Sequence, residues 1–378
     1  MDLYRIKKYC LNPSSIINAC DLEILNTSEE FIHCIFDLIK KARKSILIEF
    51  YEIADDKLGI EIKNLLIKKV SEGVEVRIIY DSIGSMLTSK EYFKELKKNG
   101  IKVIEYNPIK IFSSIRKWFR RDHRKIIISD FSQAIVGGFN LSLDYAPYSF
   151  SGKNWKDLGV KFGGQAVLSV SNIFRSNWVY CGGDFFEIMP DDYVEGNIPV
   201  SLAWEFGMRN IHSVRRSYKY AMDNAKDYIY ITNAYFLPDG LIYRCLTRAV
   251  IRGVDVKIIL PSKTDHPYVR IASMAIIKHL IRHGVKVYEW QKEVLHAKTA
   301  VIDGLWVSIG SHNLDRISLH YNLELNINIF DEKIGQKMKG NFEEDLKNSK
   351  ELTLDYIKRM PLSTKMMSQF MYIFRNLL

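Results

Sequence analysis

Two stretches of this chain obey one rule. Residues 123–130 read His-Arg-Lys-Ile-Ile-Ile-Ser-Asp and residues 296–303 read His-Ala-Lys-Thr-Ala-Val-Ile-Asp, so both are H-x-K-x4-D. Each leads into a small-residue turn and an Asn, Gly137-Gly138-Phe139-Asn140 and Gly310-Ser311-His312-Asn313. The likeness extends upstream. Ala42–Ile48 matches Ala225–Ile231 at an offset of 183, Glu72–Ile79 matches Arg252–Ile259 at 180, and Asn99–Val103 matches His283–Val287 at 184. The two histidines differ by 173. A nearly constant offset over so many segments means two copies of one structural unit in tandem.

Each copy alternates apolar strands with amphipathic helices. Strands are expected at Ile46–Phe50 and Tyr228–Thr232, helices at Ile60–Lys69 and Leu241–Ile251, and further strands at Val74–Tyr80 and Val254–Leu260. Gly73 and Gly253 stand where a glycine closes a helix. This β-α-β-α rhythm implies an α/β architecture with largely parallel strands. The copies are expected to divide near residues 190–205, around Pro190-Asp191-Asp192 and Pro199.

The β-branched runs after each histidine read as strands, where residues i and i+2 share a face. His123 and Lys125 therefore point together, as do His296 and Lys298. Two such strands meeting across a twofold bring both imidazoles to one phosphorus. One attacks it to give a phosphohistidine. The other protonates the leaving oxygen and then serves as base for the acceptor. The two ammonium groups neutralise developing charge on the phosphoryl oxygens. Asn140, Ser311 and Asn313 are expected to donate to phosphate. Each histidine needs an orienting carboxylate, and the candidates are Asp157 and Glu324, in the strand-like segments Trp155–Val160 and Asn322–Asn326. Asp130 and Asp303 complete the catalytic set of the motif, although as strand-end residues they are expected to brace the fold more than to take part in the reaction. Asp303-Gly304 is a turn signal. The first copy, with Asp130-Phe131-Ser132-Gln133, is expected to have a longer or different turn. The reaction calls for no metal and no cofactor.

Composition bounds the setting. With 47% hydrophobic residues the chain is globular and not disordered. A net charge of +10 suits anionic partners. The five cysteines, Cys10, Cys20, Cys34, Cys181 and Cys245, contain no C-x-x-C, which fits neither a disulfide framework nor a zinc site and implies a reducing compartment. No signal peptide and no transmembrane segment is expected, so any membrane contact is peripheral. The stretch from Lys110 to Arg121 mixes Phe112, Trp118 and Phe119 with Arg116, Lys117, Arg120 and Arg121, and Arg124 lies just beyond. Such a mixture suits an anionic membrane interface or a single-stranded nucleic acid. After Pro361, Met366, Phe370, Ile373, Phe374 and Leu377 recur at helical spacing beside Lys365 and Arg375.

These motifs resemble the phospholipase D superfamily, over nearly the whole chain. The segments that carry the resemblance are Asp122-His123-Arg124-Lys125 with Gly137–Asn140, Trp155-Lys156-Asp157, Tyr235-Phe236-Leu237-Pro238-Asp239, and Leu295-His296-Ala297-Lys298 with Gly310–Asp315. Within the family the chain is most similar to bacterial cardiolipin synthases of the short type without transmembrane helices. It departs from their pattern at Asp315-Arg316-Ile317-Ser318, where the Arg comes one place early. The resemblance implies two β-sheets flanked by helices, related by a pseudo-twofold, with one shared active site. The offsets and the helical spacing place the copies at 1–195 and 196–360, and an amphipathic tail at 361–378. The resemblance also implies transfer of a phosphatidyl group from one phosphatidylglycerol to another, with His123 as nucleophile and His296 as acid and base. The alternatives are phospholipase D-type hydrolysis and nuclease activity, nucleic acid being the less favoured substrate. The place implied is the cytoplasmic side of the cell membrane, peripherally bound.

Overall fold

The protein is described by a computed structural model over residues 3–109, 118–190, 194–206 and 213–373. The first copy supplies β1 (Ile17–Leu25), β2 (Ser45–Phe50), β3 (Glu75–Asp81), β4 (Lys102–Tyr106), β5 (Lys125–Ser129), β6 (Gln133–Gly137) and β7 (Gly159–Gly163). The second supplies β8 (Ile198–Phe206), β9 (Tyr228–Asn233), β10 (Asp255–Pro261), β11 (Lys286–Trp290), β12 (Lys298–Ile302), β13 (Trp306–Gly310) and β14 (Leu323–Phe330), with β15 (Ser349–Leu352) on the outer edge.

One sheet runs β4-β3-β2-β5-β6-β7-β1 and the other β11-β10-β9-β12-β13-β14-β8. The orders correspond strand for strand, and the two sheets join where β1 pairs antiparallel with β8, Asn18 opposite Pro199. Residues 17–19 of β1 pair with β8 and residues 20–25 with β7, the latter ladder shifting register between Cys20 and Glu23. Strands β2-β3-β4 and β9-β10-β11 are parallel, while the ladders that carry the motifs are antiparallel. The expectation of largely parallel strands is thus corrected to mixed sheets. The reason is local. Helical crossovers link the neighbouring parallel strands β2-β3-β4 and β9-β10-β11, whereas a three-residue turn leads from β5 to β6 and from β12 to β13, which only antiparallel neighbours allow.

Helices start and stop on sequence signals. Thr27 and Glu30 form a capping box for the helix Ser28–Lys41. Gly73 and Gly253 follow the helix ends with φ of 90° and 87°, the left-handed conformation that glycine adopts freely. The two motif turns have equal length, against expectation. Asp130 and Phe131 take φ of 51° and 53°, matching Asp303 and Gly304 at 51° and 66°. Phe131 bears a conformation unfavourable for a bulky residue because its ring is buried in the core near Phe186.

Packing makes the halves one body. A single apolar cluster contains Ile126, Val136 and Leu158 from the first copy and Leu295, Ala297 and Leu323 from the second. The N-terminal residues Ile6, Tyr9 and Cys10 pack into the second copy's core. No helix among the described residues is long and apolar enough to cross a membrane.

Candidate active site

The two motif histidines lie where the sheets meet, each just ahead of its strand, β5 or β12. Neither is tied to its own copy alone. The His123 amide donates to the Leu323 carbonyl (2.9 Å) and the Leu323 amide to the Arg121 carbonyl (2.8 Å). The His296 amide donates to the Lys156 carbonyl (2.7 Å) and the Lys156 amide to the Val294 carbonyl (2.8 Å). Leu323 precedes Glu324, and Lys156 precedes Asp157. These short bridges therefore deliver each carboxylate to the histidine of the other copy. His123 Nδ1 lies 3.1 Å from Glu324 Oε2 and 3.0 Å from the Ser311 carbonyl oxygen. His296 Nδ1 lies 2.7 Å from Asp157 Oδ2.

The lysines complete the pattern. Lys125 Nζ donates to the His123 carbonyl (2.8 Å). Lys298 Nζ donates to the His296 carbonyl and lies 2.6 Å from His296 Nδ1 and 3.5 Å from Asp157 Oδ2. Both ammonium groups are buried, Lys298 completely. The turns differ in one respect. The Ser311 hydroxyl donates to Glu324. At the matching Gly138, a Cβ would stand 2.2 Å from Asp157 Oδ1, so only glycine leaves room for that carboxylate. Asn140 and Asn313 are buried, and their side-chain oxygens have no protein partner.

Burial sets the charges. It pushes the His123 imidazole down, with Lys125 adding and Glu324 opposing, and it pushes His296 well below the ordinary range, with Lys298 adding. Burial also lowers Lys125 to about 7 and lowers Lys298. Burial works to raise Glu324, but His123 and Lys125 hold it at about 2, so it stays a carboxylate. For Asp157 burial prevails over Lys298 and raises it to about 6. The result is two imidazoles and two lysines whose proton affinity burial has depressed, which an entering phosphate anion raises again.

Three aromatic hydroxyl residues that spacing alone did not single out as catalytic join this site. The Tyr145 hydroxyl lies 3.1 Å from His296 Nδ1 and 3.4 Å from Nε2, and accepts from Asn140 Nδ2 at 3.2 Å. Tyr51 packs edge-on to His123 and Tyr235 edge-on to His296, with ring centroids 5.1 and 5.7 Å apart. Tyr51 and Tyr235 both follow the corresponding strand of each copy, β2 or β9, which was the available signal. Tyr145 sits in an irregular loop and had none.

Other expected site residues fall elsewhere. Asp130 accepts from the backbone amides of Arg43, Lys44 and Ser45, and Asp303 from those of Lys226, Asp227 and Tyr228. They lie at the far ends of β5 and β12 from the histidines, and their place in the catalytic set is corrected to that of braces. In the basic-aromatic stretch, Phe112, Arg116 and Lys117 lie outside the described residues. Trp118 is exposed and Phe119 packs near Tyr321. Arg120 donates to the Tyr180 hydroxyl. Arg121 is buried and donates to the Ser82 hydroxyl (2.9 Å) and the Asn107 carbonyl. Arg124, fully buried, donates to Glu49 and to the Glu205 carbonyl. Arg121 is thus a structural cross-link and not a membrane contact, because buried acceptors capture its guanidinium fork.

A family model described as cardiolipin synthase, phospholipase D-like domain, matches residues 35–152 and 218–346. The chain is 34% identical over 339 residues to cardiolipin synthase 2 of Bacillus anthracis, covering 88% of this chain and 65% of that protein. It is 32% identical over 354 residues to the major cardiolipin synthase ClsA of Bacillus subtilis, covering 91% and 72%. The chain thus spans about two thirds of the length of these relatives. Among solved structures, the phosphatidylserine synthase of Haemophilus influenzae aligns over 100% of both chains with a TM-score of 0.74 at 15% identity, a likeness of fold.

Proposed function

This chain belongs to the cardiolipin synthase family built on the phospholipase D-like domain, and from that membership we propose that it is a phosphatidyltransferase that makes cardiolipin from phosphatidylglycerol. The observation that carries the reading is the exchange of carboxylates between copies: one complete histidine-lysine-carboxylate set from each side of a single interface. Such a pair fits a two-step displacement at one phosphorus.

In this reading His123 is the nucleophile. Its Nδ1–H is taken up by Glu324 and the Ser311 carbonyl, which leaves Nε2 with a free lone pair. Nε2 attacks the phosphorus of the first phosphatidylglycerol, the bond to the glycerol headgroup oxygen breaks, and His296 donates the proton that makes free glycerol. Binding of the phosphodiester anion raises the proton affinity that burial had lowered. The hydroxyl of a second phosphatidylglycerol then gives its proton to His296 and attacks the phosphohistidine, so that cardiolipin leaves and His123 is restored. Lys125, Lys298, Asn140 and Asn313 hold the phosphoryl oxygens. The enzyme acts peripherally, at the cytoplasmic face of the membrane.

The test is incubation of the purified chain with phosphatidylglycerol in nonionic detergent, following cardiolipin and glycerol together. Equal amounts of both are expected. Phosphatidic acid in place of cardiolipin would make the protein a hydrolase, and cleavage of DNA without lipid turnover would overturn the reading.

A further inference from the structure

The C-terminal helix Leu362–Ile373 packs along the helix Pro267–Arg282. Its inner side is Ser368, Met371 and Tyr372, turned to the protein. Its outer side is Leu362, Met366, Phe370 and Ile373, spaced to form one helical stripe. All four are more than half exposed, at 72, 65, 55 and 67%. A contiguous apolar stripe this exposed marks an interaction surface. Beside the stripe, between these two helices and Leu354–Arg359, lies a groove of about 300 Å³. Lys278, Arg282, Lys358 and Lys365 rim it, Met360 contributes to its apolar lining, and no carboxylate lines it. Among the described residues, Lys278 and Arg282 have no carboxylate partner in a salt bridge, whereas Lys358 pairs with Asp355 (3.1 Å) and Lys365 donates to the Lys358 carbonyl (2.5 Å). The Ser368 hydroxyl, buried at 4% exposure, lines the groove without a hydrogen-bond partner.

We infer that this groove and stripe dock the protein on an anionic phospholipid bilayer, with a lipid phosphate at Lys278 and Arg282 and the stripe sunk among the acyl chains. The choice of a bilayer rests on the phosphatidyltransferase reading, and the charge supports it. An apolar helical face with a cationic rim suits the negatively charged interface, where basic side chains reach the headgroups while apolar ones insert. The helix that floors the groove also leads to the reacting residues. His266, at its start, has its ring 5.2 Å from that of Tyr235, which edges His296. Lys278 lies about 18 Å along the same helix at 1.5 Å per residue.

The test uses the full chain and sedimentation with vesicles, either pure phosphatidylcholine or phosphatidylcholine mixed with phosphatidylglycerol. Binding to the anionic vesicles only, weakened by salt, is expected. The doubles Phe370→Asp/Ile373→Asp and Lys278→Glu/Arg282→Glu should each bind roughly tenfold more weakly or worse. Both should keep turnover on detergent-dispersed phosphatidylglycerol within about twofold of wild type, since neither lies in the active site. Vesicle binding equal to wild type in both doubles overturns the inference. So does a wild-type dimer that the Phe370→Asp/Ile373→Asp change dissociates, since the stripe would then belong to a second copy. Vesicle binding without any detergent turnover in wild type would remove the phosphatidyltransferase reading and leave the docking surface standing.

Discussion

Around His123 stand Glu324, with the Ser311 hydroxyl on it, and the edge of Tyr51; around His296 stand Asp157, Lys298 and the Tyr145 hydroxyl, all on the same ring nitrogen. The two copies repeat the motif and surround it differently. In the first pairing the carboxylate is long, reaches from β14 and leaves space for a serine. In the second it is one methylene shorter and must come closer, which is why Gly138 replaces the serine. Their proton affinities diverge as well, with a pKa of about 2 for Glu324 against about 6 for Asp157. A firmly ionised partner suits a histidine that must carry a covalent phosphoryl group. A carboxyl poised near neutrality suits one that must pass a proton in both directions. The comparison teaches that duplication supplied equal groups and their neighbours made them unequal.

The comparison can be broken most directly at the histidines. His123→Ala and His296→Ala should each lower kcat on the order of 10⁴-fold, and only the chain that keeps His123 should trap a phosphohistidine after rapid denaturation at alkaline pH, where the N–P bond survives. Trapping in His123→Ala would reverse the two roles. Next in size, Glu324→Gln should cost roughly 10²- to 10⁴-fold in kcat, and more than Asp157→Asn; the opposite ranking in steady-state rates would undo the assignment. Tyr145→Phe should cost about tenfold, the worth of one hydrogen bond to His296, with little change in KM. Gly138→Ala should destabilise the fold by roughly 1–3 kcal/mol, as overpacking does, and urea denaturation would read it. The smallest effect is the pH slope of stability. Asp157 has a raised folded pKa, so its contribution is present below its unfolded value near 3.8 and is lost as pH rises through about 6. Glu324 has a depressed one, so its contribution is present above its unfolded value near 4.5 and is lost as pH falls through that value toward 2. Denaturation midpoints of Asp157→Asn and Glu324→Gln against wild type should therefore diverge with opposite slopes between pH 3 and 6.5. Parallel slopes would erase the electrostatic difference.

Much of this site was legible residue by residue. His123 with Lys125, and His296 with Lys298, follow from strand alternation, because side chains two apart share a face whatever the fold. Asp157 and Glu324 were accessible as polar residues in apolar strand-like runs. Tyr145 was not, since an irregular loop has no period to read. Nor was the direction of the arginines before β5. Composition records that they are basic, while their acceptors at Asp81 and Glu49 lie 40 and 75 residues away in the chain. The left-handed Phe131 was equally hidden, because its strained backbone is held by burial that only packing supplies.

The sequence by itself determined the duplication, the reacting groups and the apolar stripe of the last helix, because offsets, alternation and helical spacing are properties of neighbours along the chain. Only the tertiary structure decided that each histidine takes its carboxylate from the other copy, that Arg121 turns inward and that Met366, Phe370 and Ile373 turn outward. Those choices depend on which distant segments compete for the same space, and the joining of the two sheets at β1 and β8 settles that competition.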